Sequence, residues 1–216
     1  MLQIVILAAV ALFLFWKLKS VLGSREGFEK TMQEIETQTN KIKTVPSVSN
    51  PDDDFDNDIS DYVEENSENA KTLTAIKDLN KDFTVESFVS GAKKAYEIIL
   101  MAFENNNLKT LKPLLDKPVF ESFKTVVEDR QKKQLSIEAS FIGMRDIRIK
   151  NVYFDKKINT AEITVAFQSE ISTVVKDKTG KVIEGDPNEI KKQKDIWTFS
   201  KKLTDKKPIW FLKSTS

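Results

Sequence analysis

The 216-residue chain contains no cysteine and no histidine. The first absence removes disulfides, thiol nucleophiles and thiolate metal sites, and leaves the redox compartment undecided. The second removes the commonest general base, the Ser-His-Asp arrangement and most zinc sites. Glycine is also scarce, at six residues, and none of them forms a phosphate-cradling loop. Chemistry based on carboxylates or lysines is the enzymatic route that remains. No cofactor and no metal ion is expected, and the composition favours a role without catalysis.

One sign of charge is missing over a whole stretch. Residues 44–70 hold nine Asp or Glu and no Lys or Arg, while the net charge is +2 over residues 1–43 and +8 over residues 71–216. A basic globular part therefore follows an acidic spacer. The spacer has two prolines and the run Asp52-Asp-Asp-Phe-Asp-Asn-Asp58, a composition too polar to offset chain entropy by burial, so a disordered linker is predicted over residues 44–70. The run lacks the central glycine and terminal glutamate of a calcium loop. The alternative to a solvated tether is an acidic bait for a basic partner, with Phe55, Ile59 and Tyr62 as small anchors.

At the N-terminus charge is lacking altogether. Leu2 to Trp16 is apolar apart from Gln3, and Leu18, Val21 and Leu22 continue the run past Lys17 and Lys19. A spanning helix needs about 20 apolar residues, and Leu2–Leu22 reaches that length if the two lysines extend to the interface. There is no basic segment ahead of the run and no small-residue cleavage site, which argues for an uncleaved transmembrane anchor over residues 1–23. Trp16, Lys17, Lys19 and Arg25 are the expected membrane-interface residues. The cations on the C-terminal side predict a single-pass protein of the inner (plasma) membrane with its bulk on the cytoplasmic side, or on the matrix side of a mitochondrial membrane, and they would attract anionic lipid. Over residues 24–43 the stripe Phe28, Met32, Ile35, Thr39, Ile42 predicts a juxtamembrane helix.

Residues 71–216 read as an α+β domain. Its organising stretch is Phe88–Phe103, in which Phe88, Ala92, Ala95, Tyr96, Ile99 and Phe103 form one helical stripe. Thr84 is placed to cap the helix, Glu86 suits its dipole, Phe83 is placed to staple onto Phe88, and Asn105-Asn106-Asn107 ends it. The stripe mixes small residues (Gly91, Ala92, Ala95, Ala102) with large aromatics. Small residues admit close approach of another element, and aromatics fill or line a hollow, so both a core helix and the wall of a groove fit the pattern. A short helix follows over Leu108–Leu115, and another starts at Pro118 with Val119, Phe120, Phe123, Val126 and Val127.

Near Leu135 the apolar spacing changes to two. Leu135–Phe141 and Ile147–Phe154 read as two strands, residues 160–175 as one very long strand, Asp177–Gly180 as a turn, and Asp195–Leu203 as a returning strand. Trp210 and Leu212 mark a last short strand. Sixteen straight strand residues would span about 53 Å, whereas a domain of this size is roughly 40 Å across. The long strand must therefore bend, bulge or project, and helices laid in the concave face of a curved antiparallel sheet would leave an apolar pocket. The residues expected around it are Phe88, Ala92, Tyr96 and Phe103 from the helix, with Phe123, Phe167, Trp197 and Phe199 facing them. A filled core is the alternative.

These residues fall in blocks that resemble the Tim-forty-four-like domain family. The blocks are Phe88-x-x-Gly-Ala-Lys-x-Ala-Tyr-Glu-x-Ile-x-x-Ala-Phe103, Leu108-x-x-Leu-x-Pro-Leu-Leu115, Phe167-x-Ser-Glu170, Glu184-Gly-Asp-Pro187, Asp195-x-Trp-x-Phe199 and Pro208-x-Trp-x-Leu212. The anchor followed by Lys17-Leu-Lys-Ser-Val-Leu-Gly-Ser-Arg25 is similar to the bacterial TimA-type members. The resemblance implies helices on a curved antiparallel sheet around a large apolar pocket, a cone akin to nuclear-transport-factor-two-like folds. Mitochondrial relatives tether the chaperone of the import motor to the translocation channel, and another relative is a ribosomal protein; all are adaptors. This chain has an anchor and acidic spacer in place of their long chaperone-binding N-terminal region.

The expected function is thus a membrane-anchored adaptor holding unidentified protein partners at the inner membrane, with protein transport or membrane biogenesis as its setting. The alternative is a carrier in which the pocket holds a lipid or other hydrophobic ligand. Glu184 and Asp186 could be a catalytic pair, but Gly185 and Pro187 beside them read more simply as a turn. No nucleic-acid partner is expected.

Overall fold

A computed structural model describes residues 56–216, apart from Lys206 and Pro208. The predicted anchor, the juxtamembrane helix, the interface residues Trp16, Lys17, Lys19 and Arg25, and the spacer up to Phe55 lie outside the described residues. Among the described residues no helix is long and apolar enough to cross a membrane.

Five helices precede and flank a five-stranded antiparallel sheet. The helices are α1 (Asn57–Ser60), α2 (Glu68–Leu79), α3 (Val85–Glu104), α4 (Leu108–Leu111) and α5 (Lys117–Lys132); the strands are β1 (Ser136–Asp155), β2 (Thr160–Lys176), β3 (Val182–Gly185), β4 (Lys191–Lys202) and β5 (Phe211–Thr215). The order across the sheet is β1-β2-β4-β5, and β3 also pairs with β2.

The structure departs from the predicted linker over residues 56–70. Asp56 caps α1, accepting from the Asp58 N–H, and Ile59 is buried in the core with Tyr62 and Val63 against it. The Asp58 carboxylate accepts from the backbone N–H groups of Val85 (2.8 Å) and Glu86 (2.9 Å) at the start of α3. Lys77 of α2 pairs with the same carboxylate at 2.8 Å and also with Asp56. Composition alone assigned the aspartates to solvent. Here they gain partners that a disordered chain would lack, namely helix N–H groups without intrahelical acceptors and a lysine.

Helix α2 starts at its Ser67 cap and buries Ala70, Leu73 and Ile76. Asn69 fastens it to the edge of the sheet, accepting from the Val152 N–H at 2.9 Å and donating to the Lys150 carbonyl. Helix α3 begins as its sequence dictates: Thr84 accepts from the Ser87 N–H at 3.1 Å, and the Phe83 and Phe88 rings stand 6.4 Å apart. At its far end Arg130 of α5 donates to the Phe103 carbonyl (3.0 Å), lies over the Phe103 ring and pairs with Glu104.

Strand β1 runs unbroken from Ser136 to Asp155, although its apolar pattern reads as two strands. Register shifts at Phe141/Gly143, Met144/Asp146 and Ile149/Asn151 change which parity of residue faces inward. Each such bulge bends the strand and increases its twist, which accommodates the 17 residues of β2 in a curved sheet. Across that sheet Ile149, Val165 and Trp197 stand side by side, as do Val152, Ile163 and Phe199. Helix α3 lays Phe88, Ala92, Tyr96 and Ile99 against them to make the core.

Candidate functional site

The eight predicted pocket residues separate into three groups. Tyr96, Phe167 and Trp197 fill space. The Tyr96 ring stacks on Phe167 with centroids 4.4 Å apart and meets Trp197 at 4.6 Å, and all three residues are buried. Phe103 and Phe123 make a second packed pair, 4.7 Å apart, at the other end of α3 beside Arg130. Phe88, Ala92 and Phe199 line an open cleft.

The filled centre contains a polar cluster. The Tyr96 hydroxyl donates to Asp195 at 2.5 Å and meets the Ser169 hydroxyl at 2.8 Å, and Gln193 donates its amide to the same carboxylate at 2.9 Å. Burial raises the pKa of Asp195, with the bonds from Tyr96 and Gln193 opposing it. Burial also raises the pKa of Tyr96, reinforced by Asp195. The cluster satisfies a tyrosine hydroxyl at the side of an aromatic core, with Asp195 and Gln193 half-buried. Beside it Arg145 pairs with Glu170 at 2.6 Å, and that hydrogen bond holds the Glu170 carboxyl below the usual range. Among the described residues no three carboxylates gather closely enough to hold a metal ion.

The cleft has a volume of about 470 Å³ and lies between the first half of α3 and the end of β4 with the turn after it. Its apolar floor is Phe83, Phe88, Phe199, Leu203 and Trp210. The Phe88 ring stands 4.9 Å from Trp210 and 6.2 Å from Phe199, so these side chains brace one another. The helical wall is low because Ser87, Gly91 and Ala95, one turn apart, are small. A methyl group added at Gly91 would meet nothing within 4 Å. The close approach of another element, one use predicted for these small residues, does not occur at Gly91 among the described residues. The space above it stays open.

Lys201 also lines the cleft and is only 9% exposed. The exposed carboxylates of Asp82 and Asp205 stand at the mouth. A second hollow of about 450 Å³ shares Lys201 and Asp205 and is also lined by Lys202 and Lys207. Lys201 was not among the predicted site residues, though the signal for it is simple. Continuing the alternation Asp195, Trp197, Phe199 by one step puts a lysine on the buried face.

The two carboxylates stand at the start of a turn rather than both in it: Glu184 lies in β3 opposite Val175, and the Asp186 carbonyl accepts from the Glu189 N–H at 3.1 Å. Gly185 has φ +84°, and Asp186 accepts from the Asn188 N–H at 2.8 Å.

Residues 69–216 match the model of the Tim44-like domain. A similar curated protein is the probable mitochondrial import inner membrane translocase subunit tin-44 of Caenorhabditis elegans, 26% identical over 141 residues, covering 64% of this chain and 33% of that protein. The chain thus spans about a third of the length of that relative. Among solved structures, the intermembrane space region of the chloroplast protein ARC6 has a TM-score of 0.40 at 13% identity, over 59% of this chain and 94% of that one. A de novo designed β-sheet protein has a TM-score of 0.25 at 15% identity, over 61% of this chain and 87% of that one. Both structural likenesses are too slight to carry an argument.

Proposed function

The chain belongs to the Tim44-like domain family, and on that premise we propose that it is a membrane-anchored adaptor holding protein partners at the inner membrane in a role related to protein translocation. The worm relative, a probable import inner membrane translocase subunit, supports the setting. Leu2–Leu22 serves as a single-pass anchor with the domain on the cytoplasmic side, and the role is not catalytic. The observation that carries the reading is the open cleft beside Gly91. Mid-helix glycine is unfavourable by about 1 kcal/mol relative to alanine, and the space it leaves is large enough for part of a partner.

A second reading, a carrier for a lipid or other hydrophobic molecule, draws on the apolar floor of the same cleft. Photo-crosslinking in cells separates the two. A photoreactive residue replaces Thr204, which is exposed at the rim of the cleft, and in a control it replaces the exposed Lys156. The adaptor reading predicts a discrete protein adduct from position 204 and none from position 156. Adducts of lipid mass alone would favour the carrier, and no adduct from position 204 would contradict both.

A further inference from the structure

The cleft contains a lysine that forms no ion pair among the described residues. Lys201 follows Trp197 and Phe199 on the buried face of β4, where the pattern of the strand calls for an apolar residue. Among the described residues its side chain has no ion pair and no hydrogen bond, although it lines the cleft. The residue as a whole is buried, but its ammonium is not shut off from the cleft, the usual arrangement of a lysine stem on an apolar surface. A ligand that brought an anionic oxygen to it would supply the missing partner, and a hydrogen bond between two charged groups is among the stronger ones a protein makes.

The surroundings restrict what that ligand can be. Phe88, Phe199 and Trp210 offer an aromatic surface next to the lysine. The absence of a side chain at Gly91 lets a backbone approach the helix closely. Asn80, Thr84, Ser87 and Thr204 add hydrogen-bonding groups around the opening, which suit peptide amides and would be wasted on an acyl chain. The exposed carboxylates of Asp82 and Asp205 repel a phosphate headgroup at the mouth and favour a cation there. We infer that the cleft binds a peptide segment of a partner protein in which a carboxylate stands beside a bulky apolar side chain, the carboxylate on Lys201 and the apolar group on Phe88, Phe199 and Trp210. Basic residues flanking that pair would face Asp82 and Asp205. The inference rests on the adaptor reading and gives its partner a chemistry.

The test uses the full chain in nanodiscs of neutral phosphatidylcholine, panned against a phage-displayed random peptide library. Wild type is compared with Lys201→Met and Gly91→Leu. The expected result is enrichment of Asp or Glu next to Leu, Phe or Trp, by roughly tenfold or more over the unselected library. Lys201→Met should lose the carboxylate preference while keeping the apolar one, and Gly91→Leu, which fills the open space, should lose both. Lys201→Met should melt no lower than wild type, since it keeps an apolar stem of similar length and removes a charge that forms no ion pair among the described residues, so its loss of selection is not a loss of fold. A carboxylate preference that survives Lys201→Met would overturn the inference, and so would selected peptides that lack carboxylates. Binding of phosphatidylglycerol vesicles through Lys201, with no peptide enriched, would overturn it in favour of a lipid. A protein adduct from position 204 in cells together with no carboxylate preference here would remove this inference and leave the adaptor reading standing.

Discussion

At Gly185 the backbone takes φ +84°, and an added Cβ would run into the Thr173 carbonyl oxygen. At Gly91 the backbone is helical and an added Cβ would meet open space. The same substitution should therefore act in opposite directions. Gly185→Ala is predicted to destabilise by about 2–3 kcal/mol, from left-handed strain and the clash together. Gly91→Ala should stabilise by about 0.5–1 kcal/mol through helix propensity and reduced freedom of the unfolded chain. Urea unfolding midpoints of the two variants check both signs. Only part of this was legible in the sequence. Gly185 sits in a string of turn residues, so its role could be read. The space over Gly91 depends on where β4 and Trp210 end up, and no local pattern carries that. Lys201 lay between the two cases, visible to strict alternation but overlooked because a lysine in a basic segment looks like surface.

Between elements, the contact that holds the start of the domain is the Asp58 carboxylate on the first turn of α3, with Lys77 beside it. Burial alone would raise the Asp58 pKa. The hydrogen bonds from Lys77 and from the Glu86 and Val85 N–H groups outweigh it and hold the value below that of an ordinary aspartate. A depressed carboxyl contributes stability that is present above the unfolded value and lost as pH falls through the folded one. Burial likewise lowers the Lys77 pKa, but its hydrogen bonds to Asp56 and Asp58 raise it above the usual lysine value, so its share is present at neutral pH and lost only in strong alkali. Asp58→Asn should weaken the clamp by about 1 kcal/mol, and hydrogen exchange over residues 56–63 should then accelerate at pH 7. In wild type the same acceleration should appear only below the ordinary aspartate range. Unchanged exchange in the variant would mean that Ile59 and Tyr62 alone hold the segment. Composition hid this contact, because disorder arguments weigh a stretch by its average and one carboxylate with three partners changes the outcome. The bulges of β1 show the same limit: alternation located the strand residues, but its change of phase read as a break in the chain rather than a bend.

The molecule as a whole combines a domain with a cleft and an N-terminal segment whose sequence reads as an anchor. Charge and hydropathy divide the sequence into an apolar run, an acidic stretch and a mixed domain; the structure describes the domain, which takes in the acidic stretch from Asp56 onward. Charge and hydropathy do not separate an open cleft from a filled core, and the aromatics predicted for one pocket went to both. The account holds that the cleft takes a partner and the anchor keeps that partner at the membrane. The measurement that tests this most directly is fractionation of the Thr204 photo-adduct from cells expressing either the full chain or a chain lacking residues 2–22. The account predicts a protein adduct that sediments with membranes from the full chain and moves to the soluble fraction when the apolar run is removed. An adduct equally membrane-bound without that run would contradict it, because the partner would then be holding this chain at the membrane.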